Sequence, residues 1–199
     1  MGAKIGLLGG TFDPIHMVHL FMGTLAVEEL GLAKVIFMPA GIPPHKEGDS
    51  ITPAVHRVAM AKLAIQGQSR FEVSELELSR EPPSYTIDTV RVLQRCLGPG
   101  ALLYLIVGSD SLLELPTWKD RGELVSRVTL AVFPRPGHAV EEARLDGPGK
   151  LIVLPADGVS FGVCSSCIRA RVKKGKCIRY LVPSAVEEYI AEHGLYRED

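Results

Sequence analysis

Apolar residues along this chain fall into two kinds of run that alternate. Residues 4–9 are almost continuously apolar, as a strand buried on both faces requires. Residues 17–30 instead place Leu20, Leu25, Ala26 and Leu30 at helical intervals and stop at Gly31, a good left-handed C-cap. The alternation continues. Strands are predicted over 34–38, 71–74, 101–107, 128–133 and 151–154. Helices are predicted over 53–66, 85–97, 165–174 and 184–193, with short helical pieces from 109 to 126 around Pro116. Pro43-Pro44 and Gly48 mark 39–50 as loop, and 134–148 reads as a second loop region. Repeated βα units predict an α/β fold: a Rossmann-like, doubly wound parallel sheet with helices on both faces, in a single domain spanning 1–199.

Ligands of such sheets bind beyond the carboxyl ends of the strands. Gly9-Gly10, residues 39–46, Gly108–Asp110 and Arg135 all follow predicted strands directly. Gly9-Gly10 is the most informative of these. Glycines let the backbone approach an anion closely, and a helix begins just beyond them, so its free N–H groups and positive dipole end point at the same place. His16 and His19, at i and i+3 on that helix, add two imidazoles. The set suits charge on a nucleotide phosphate chain. It is neither G-x-G-x-x-G nor a Walker loop, which argues against a dinucleotide dehydrogenase or a P-loop kinase.

The 199 residues suit one domain, and 46% apolar with 23% charged residues is ordinary for a globular enzyme. A net charge of −1 gives no electrostatic case for nucleic acid or membrane binding. No apolar run is long enough to span a membrane, and the N-terminus lacks a signal-peptide layout, so a cytoplasmic protein is expected. Cys164 and Cys167 form a C-x-x-C. A redox motif of this type is expected near the start of a βαβ pattern rather than its end, and of further zinc ligands only Cys177 is near. The pair reads as two small side chains at a helix start.

The segment Gly9–His19 resembles the T/H-x-G-H signature of the nucleotidylyltransferase superfamily, shared with class I aminoacyl-tRNA synthetases. Within it the chain is similar to bacterial nicotinate-nucleotide adenylyltransferases from Lys4 to about Tyr196. The resemblance rests on Gly9-Gly10-Thr11-Phe12-Asp13-Pro14-Ile15-His16, Pro43-Pro44-His45-Lys46, Ser84-Tyr85-Thr86-Ile87-Asp88-Thr89 and Gly108-Ser109-Asp110-Ser111. It continues through Leu115-Pro116-Thr117-Trp118-Lys119, Ser165-Ser166-Cys167-Ile168-Arg169 and the ending Val182-Pro183 to Tyr196. Two positions depart from the family pattern. Val18 replaces the glycine before the second histidine and is expected to narrow the space beside the ligand. Cys164 and Ser166 replace a serine and a threonine.

The resemblance implies attack of the nicotinate mononucleotide phosphate on the α-phosphorus of ATP, giving nicotinate adenine dinucleotide and pyrophosphate. The nucleophile is already ionised, so alignment and charge compensation are the tasks left to the protein. It implies His16, His19 and Arg169 as catalytic residues. Gly9, Gly10, Thr11, Phe12, Gly108, Asp110, Ser165, Ser166 and Arg169 are then expected to bind ATP. His45, Lys46, Thr86, Trp118 and Arg135 are expected to meet the mononucleotide. Asp13 reads as a turn residue. Mg²⁺ is expected to arrive with ATP, with no protein metal cage. A nicotinamide-mononucleotide or pantetheine-phosphate adenylyltransferase and a non-catalytic nucleotide-sensing module remain as alternatives, and the sequence does not give an oligomeric state.

Overall fold

The computed structural model describes residues 2–41, 51–81, 83–98, 100–137, 149–156, 158–159 and 162–197. Six parallel strands form one sheet: β1 (Lys4–Gly10), β2 (Lys34–Pro39), β3 (Phe71–Val73), β4 (Leu102–Gly108), β5 (Thr129–Phe133) and β6 (Lys150–Val153), in the order β3-β2-β1-β4-β5-β6. The chain builds outward from β1 through β2 to β3, then crosses back and builds outward the other way from β4. β1 and β4 are therefore neighbours whose onward connections leave for opposite faces. Their carboxyl ends frame a crevice, the place where such sheets take ligands.

Period-two alternation divides the strand residues between two cores. On one face Leu8, Tyr104 and Ile106 pack with α1 (Met17–Leu30), α2 (Ala54–Ala64), α6 (Ser165–Lys173) and α7 (Ser184–Glu192). On the other, Ile5, Leu7, Leu103, Leu105 and Val107 pack with α3 (Thr86–Leu97), α4 (Ser109–Glu114) and α5 (Arg121–Arg127). Each fully buried Leu or Ile in these layers contributes about 1.5–3 kcal/mol. Gly6 keeps the layers close: a Cβ there would lie 2.9 Å from both Leu32 and Ile106.

The doubly wound α/β reading agrees with this sheet, and the predicted elements differ from the observed ones mainly at their ends. Residues 109–126 resolve into α4, a 3₁₀ turn over Leu115–Thr117 and most of α5. Val18 corrects one expectation. It is fully buried in the core beneath α1 and does not narrow the site. A side chain at that position of the helix turns inward, so its bulk is felt by the core.

Candidate active site

A cleft of about 690 Å³ opens at the carboxyl edge of the sheet between β1 and β4. Its first lip is the turn after β1. A Cβ on Gly9 would meet no protein atom within 4 Å, so the missing side chain leaves open space on the cleft wall. Gly10 is crowded instead: its Cβ would fall 3.0 Å from the Phe12 ring. Phe12 has φ of 50°, a left-handed conformation that non-glycine residues rarely adopt, and its ring is buried edge-on against His19 at 5.0 Å.

Buried polar groups hold this turn from beneath. The Arg57 guanidinium, from α2, donates to the carbonyls of Thr11 and Ala40 at 2.8 Å each and to that of Thr52 at 2.9 Å. Asp13 is 4% exposed and accepts from the Tyr196 hydroxyl at 2.7 Å and the Thr52 amide at 3.3 Å. Burial lowers the Arg57 pKa, and the nearby Asp13 charge opposes that shift. Burial and then the Asp13 hydrogen bond push the Tyr196 phenol up, so it stays protonated and donates. Asp13 is thus a buried anchor as well as a turn residue.

His16 is the N-cap of α1 and is 1% exposed; His19 stacks on it with ring centroids 3.8 Å apart. The His16 backbone N–H donates to His19 Nδ1 at 3.2 Å. That bond places the neutral His19 proton on Nε2, leaving it a donor. Of the two rings, His19 lines the cleft and His16 lies behind it, its Nδ1 without a protein partner. Burial, then the Arg135 charge, holds His16 down to about 3. Burial, then His16 and Arg135, holds His19 well below its ordinary value.

The end of β4 supplies the facing wall. Arg135 Nη1 pairs with Asp110 Oδ2 at 2.9 Å, and the Arg135 amide donates to Ser109 Oγ at 2.9 Å. Gly108 makes room for this pair: a Cβ there would sit 2.3 Å from Asp110 Oδ1 and 3.3 Å from Arg135. Helix α6 closes over the β1 turn. Ser165 Oγ donates to the Pro14 carbonyl at 2.9 Å and Arg169 Nη1 to the Asp13 carbonyl at 2.8 Å, and both residues line the cleft. Neither serine hydroxyl caps α6. Cys164 is the N-cap, its Sγ accepting from the Cys167 amide at 3.3 Å, while exposed Ser166 hydrogen-bonds that sulfur at 3.1 Å.

A second lip forms around the N-terminus of α3. Ser84, Tyr85 and Thr86 line it, with Thr86 in the first helical position. Trp118 follows the 3₁₀ turn, lines the cleft and rests partly on the core under α3 and α5. Lys119 Nζ lies 4.4 Å from the Tyr85 ring centroid and 3.1 Å from Asp88 Oδ2. Buried Glu77 accepts from the Thr89 hydroxyl at 2.6 Å, and burial raises its pKa. His45 and Lys46 lie outside the described residues. The other sequence candidates surround one cleft, with His16 and Ser166 set back from its lining. Sequence reasoning missed Arg57, the anchoring use of Asp13 and Tyr196, and the pair Tyr85 and Lys119. Lys119 was legible beside Trp118. Arg57 carried no signal, being one basic residue among the helical positions of α2.

The cytidylyltransferase-like family model matches residues 7–171. A relative from Thermomicrobium roseum named "probable nicotinate-nucleotide adenylyltransferase" is 44% identical over 200 residues, covering 98% of this chain and 92% of its own. One of the same name from Thermus thermophilus is 45% identical over 194 residues, covering 98% and 100%. This chain belongs to the nicotinate-nucleotide adenylyltransferases. The fold agrees. A Plasmodium falciparum nicotinic acid mononucleotide adenylyltransferase complexed with NaAD superposes with a TM-score of 0.80 at 20% identity, covering 98% of this chain and 97% of its own. Among the described residues, the motifs around Gly9, Ser84, Gly108, Trp118 and Ser165 each send residues to the cleft just described.

Proposed function

We propose that ATP lies along the β1 lip and nicotinate mononucleotide along the α3 lip, within one nucleotidylyltransferase domain spanning 1–199. The protein transfers the adenylyl group of ATP to nicotinate mononucleotide, giving nicotinate adenine dinucleotide and pyrophosphate in NAD biosynthesis. The observation that carries the placement is the grouping of cleft-lining residues. A glycine strand end, a histidine donor and Arg169 share one lip; an aromatic plane, a helix N-terminus and a lysine share the other. Their junction is the sheet's reversal point, where two anions can meet in line.

Gly9, Gly10, Thr11 and Phe12 offer backbone N–H groups to the triphosphate. His19 donates from Nε2, and His16 orients it by stacking and through its amide. Both rings being neutral, they act in the free enzyme as dipoles and hydrogen-bond donors rather than as fixed cations. Arg169 brings the permanent charge to the leaving pyrophosphate, with Ser165 beside it, while Ser166 supports the α6 cap. Asp110 receives a ribose hydroxyl beside Gly108. Arg135, paired with Asp110 and close enough to depress both histidines, sits where the mononucleotide phosphate enters. Trp118 stacks on the pyridine ring, and Thr86 with Lys119 receives the nicotinate carboxylate. His45 and Lys46 guide the incoming mononucleotide. A phosphate monoester is largely ionised at neutral pH, so attack on the α-phosphorus needs no protein base and no covalent intermediate.

Mg²⁺ enters with ATP in this reading. Asp13 is engaged by Tyr196 and Thr52 and Asp110 by Arg135, and among the described residues no three His, Cys, Asp or Glu side chains converge as a metal cage. Phosphate oxygens and water would hold the ion, which supplies charge compensation. Pyrophosphate release from Mg-ATP, measured with nicotinate and with nicotinamide mononucleotide, tests the assignment. The acid substrate is expected to win by at least about tenfold, as one charge-assisted contact to its carboxylate allows; a tenfold preference for the amide overturns it.

A further inference from the structure

Cys164 and Cys167 are not used by the adenylyl transfer just described, yet their setting is specific. Cys164 Sγ caps α6 and takes two local hydrogen bonds, from the Cys167 amide at 3.3 Å and with the Ser166 hydroxyl at 3.1 Å. The Cys167 amide donates to this sulfur from three residues on, so the two cysteines meet across the first turn of the helix. Cys167 is exposed and Cys164 half-buried, so a small reagent can reach the pair. Among the described residues no third ligand joins them as a metal site. Burial raises the Cys164 pKa, but the hydrogen bonds from Cys167 and Ser166 and the charge of Arg135 outweigh it and leave the thiol below its ordinary value. The hydrogen bond to Cys164 pushes Cys167 up. Cys164 Sγ, the accepting sulfur at the start of α6, is the one placed to attack, with Cys167 one turn on to resolve the adduct.

We infer that Cys164 and Cys167 form a reversible dithiol–disulfide site that controls the grip of α6 on the ATP half of the cleft. The Cys164 thiolate attacks one sulfur of a low-molecular-weight disulfide such as oxidised glutathione, and one glutathione thiolate leaves and takes up a proton. Cys167 then loses its proton and attacks Cys164 Sγ, forming the Cys164–Cys167 disulfide and expelling the glutathione held there as a thiolate, which takes up that proton. Two protein thiols are oxidised and one glutathione disulfide is reduced to two thiols. Closure replaces the sulfur that caps the helix with one bonded to Cys167, a weaker acceptor for the Cys167 amide. The next residue, Ser165, and Arg169 one turn on are the two that fasten α6 to the Asp13 and Pro14 carbonyls. A changed first turn therefore displaces the hydroxyl and the guanidinium that face the phosphates. The coupling to ATP rests on the proposed placement of the triphosphate; the chemistry of the pair does not.

The test equilibrates the full protein in glutathione buffers of increasing oxidation. It measures the mass of the peptide holding both cysteines, and the KM for ATP before and after dithiothreitol. The expected result is a loss of 2 Da from that peptide, with little retained glutathione. A KM for ATP raised about fivefold or more should accompany it, restored by reduction. The Cys167→Ser variant should keep the reduced enzyme's KM and instead accumulate a stable glutathione adduct on Cys164. A peptide that stays dithiol, or ends as a mixed disulfide in the parent protein, overturns the site. A disulfide that forms without changing the KM for ATP overturns the control. Failure of the reduced protein to bind ATP at all would strike the functional placement instead, and leaves the mass readout standing on its own.

Discussion

Acid should unfold this protein through His16, and the size of the effect follows from its burial. The ring is 1% exposed, has an unpartnered Nδ1 and titrates at about 3 in the folded state, while in the unfolded chain it titrates near its ordinary value of 6.5. Between those values the unfolded chain binds more protons than the folded one, so stability falls as pH falls. The loss begins near pH 6.5 and stops growing near pH 3. From about pH 7.5 to pH 5 the single site costs about 2 kcal/mol, from roughly 1.4 kcal/mol per unit of pKa difference. His19 is shifted in the same direction and adds a loss of the same sign. Urea unfolding of the parent and His16→Asn proteins at both pH values checks the figure. The variant starts less stable, but its drop on acidification should be smaller than the parent's by about 2 kcal/mol. Comparing differences removes other titrating groups, such as Glu77, whose raised pKa acts with the opposite sign. An equal drop in both proteins, or an NMR titration placing His16 near 6.5, would refute the reasoning.

Three further outcomes follow from the cleft. His19→Ala should lower kcat by about 100-fold or more while the ATP Kd, by calorimetry, stays within about tenfold, because the lost donor acts mostly on transition-state charge; near-normal turnover would remove it from the mechanism. Gly108→Ala forces a Cβ to 2.3 Å from Asp110 Oδ1 and 3.3 Å from Arg135, so the Asp110 carboxylate must move and the pair with Arg135 be rearranged. Its KM values should rise with little change in secondary structure by circular dichroism, and unchanged KM values would show that the pair does not shape the site. Trp118→Ala should raise the KM for the mononucleotide by about tenfold or more while leaving that for ATP unchanged, the loss of one stacked aromatic. An equal rise for both substrates would place Trp118 at the wrong half-site.

The architecture was legible because buried parallel strands are continuous apolar runs and their helices are punctuated by residues such as Gly31, Gly175 and Gly194. The sheet's reversal point was marked by Gly9-Gly10 and Gly108, glycines directly after apolar strands. What the sequence did not give was depth. The i, i+3 spacing of His16 and His19 suggests two rings side by side, but the helix starts at Met17, which makes His16 its cap and buries it. Serines at a helix start suggest a hydroxyl cap, yet one residue of register gives that place to Cys164. Arg57 and Tyr196 were hidden for a different reason. They act on backbone carbonyls and on Asp13 from 139 residues apart in sequence, and such contacts follow no local pattern.

The central claim is that the glycine turn after β1, His19 and α6 hold one triphosphate. A crystal structure of the protein with a non-hydrolysable ATP analogue tests it most directly. The account predicts phosphate oxygens within hydrogen-bond distance of His19 Nε2, the Arg169 guanidinium and backbone amides between Gly9 and Phe12. A triphosphate found against Trp118 and the start of α3 instead, with the β1 turn left to solvent, would contradict it.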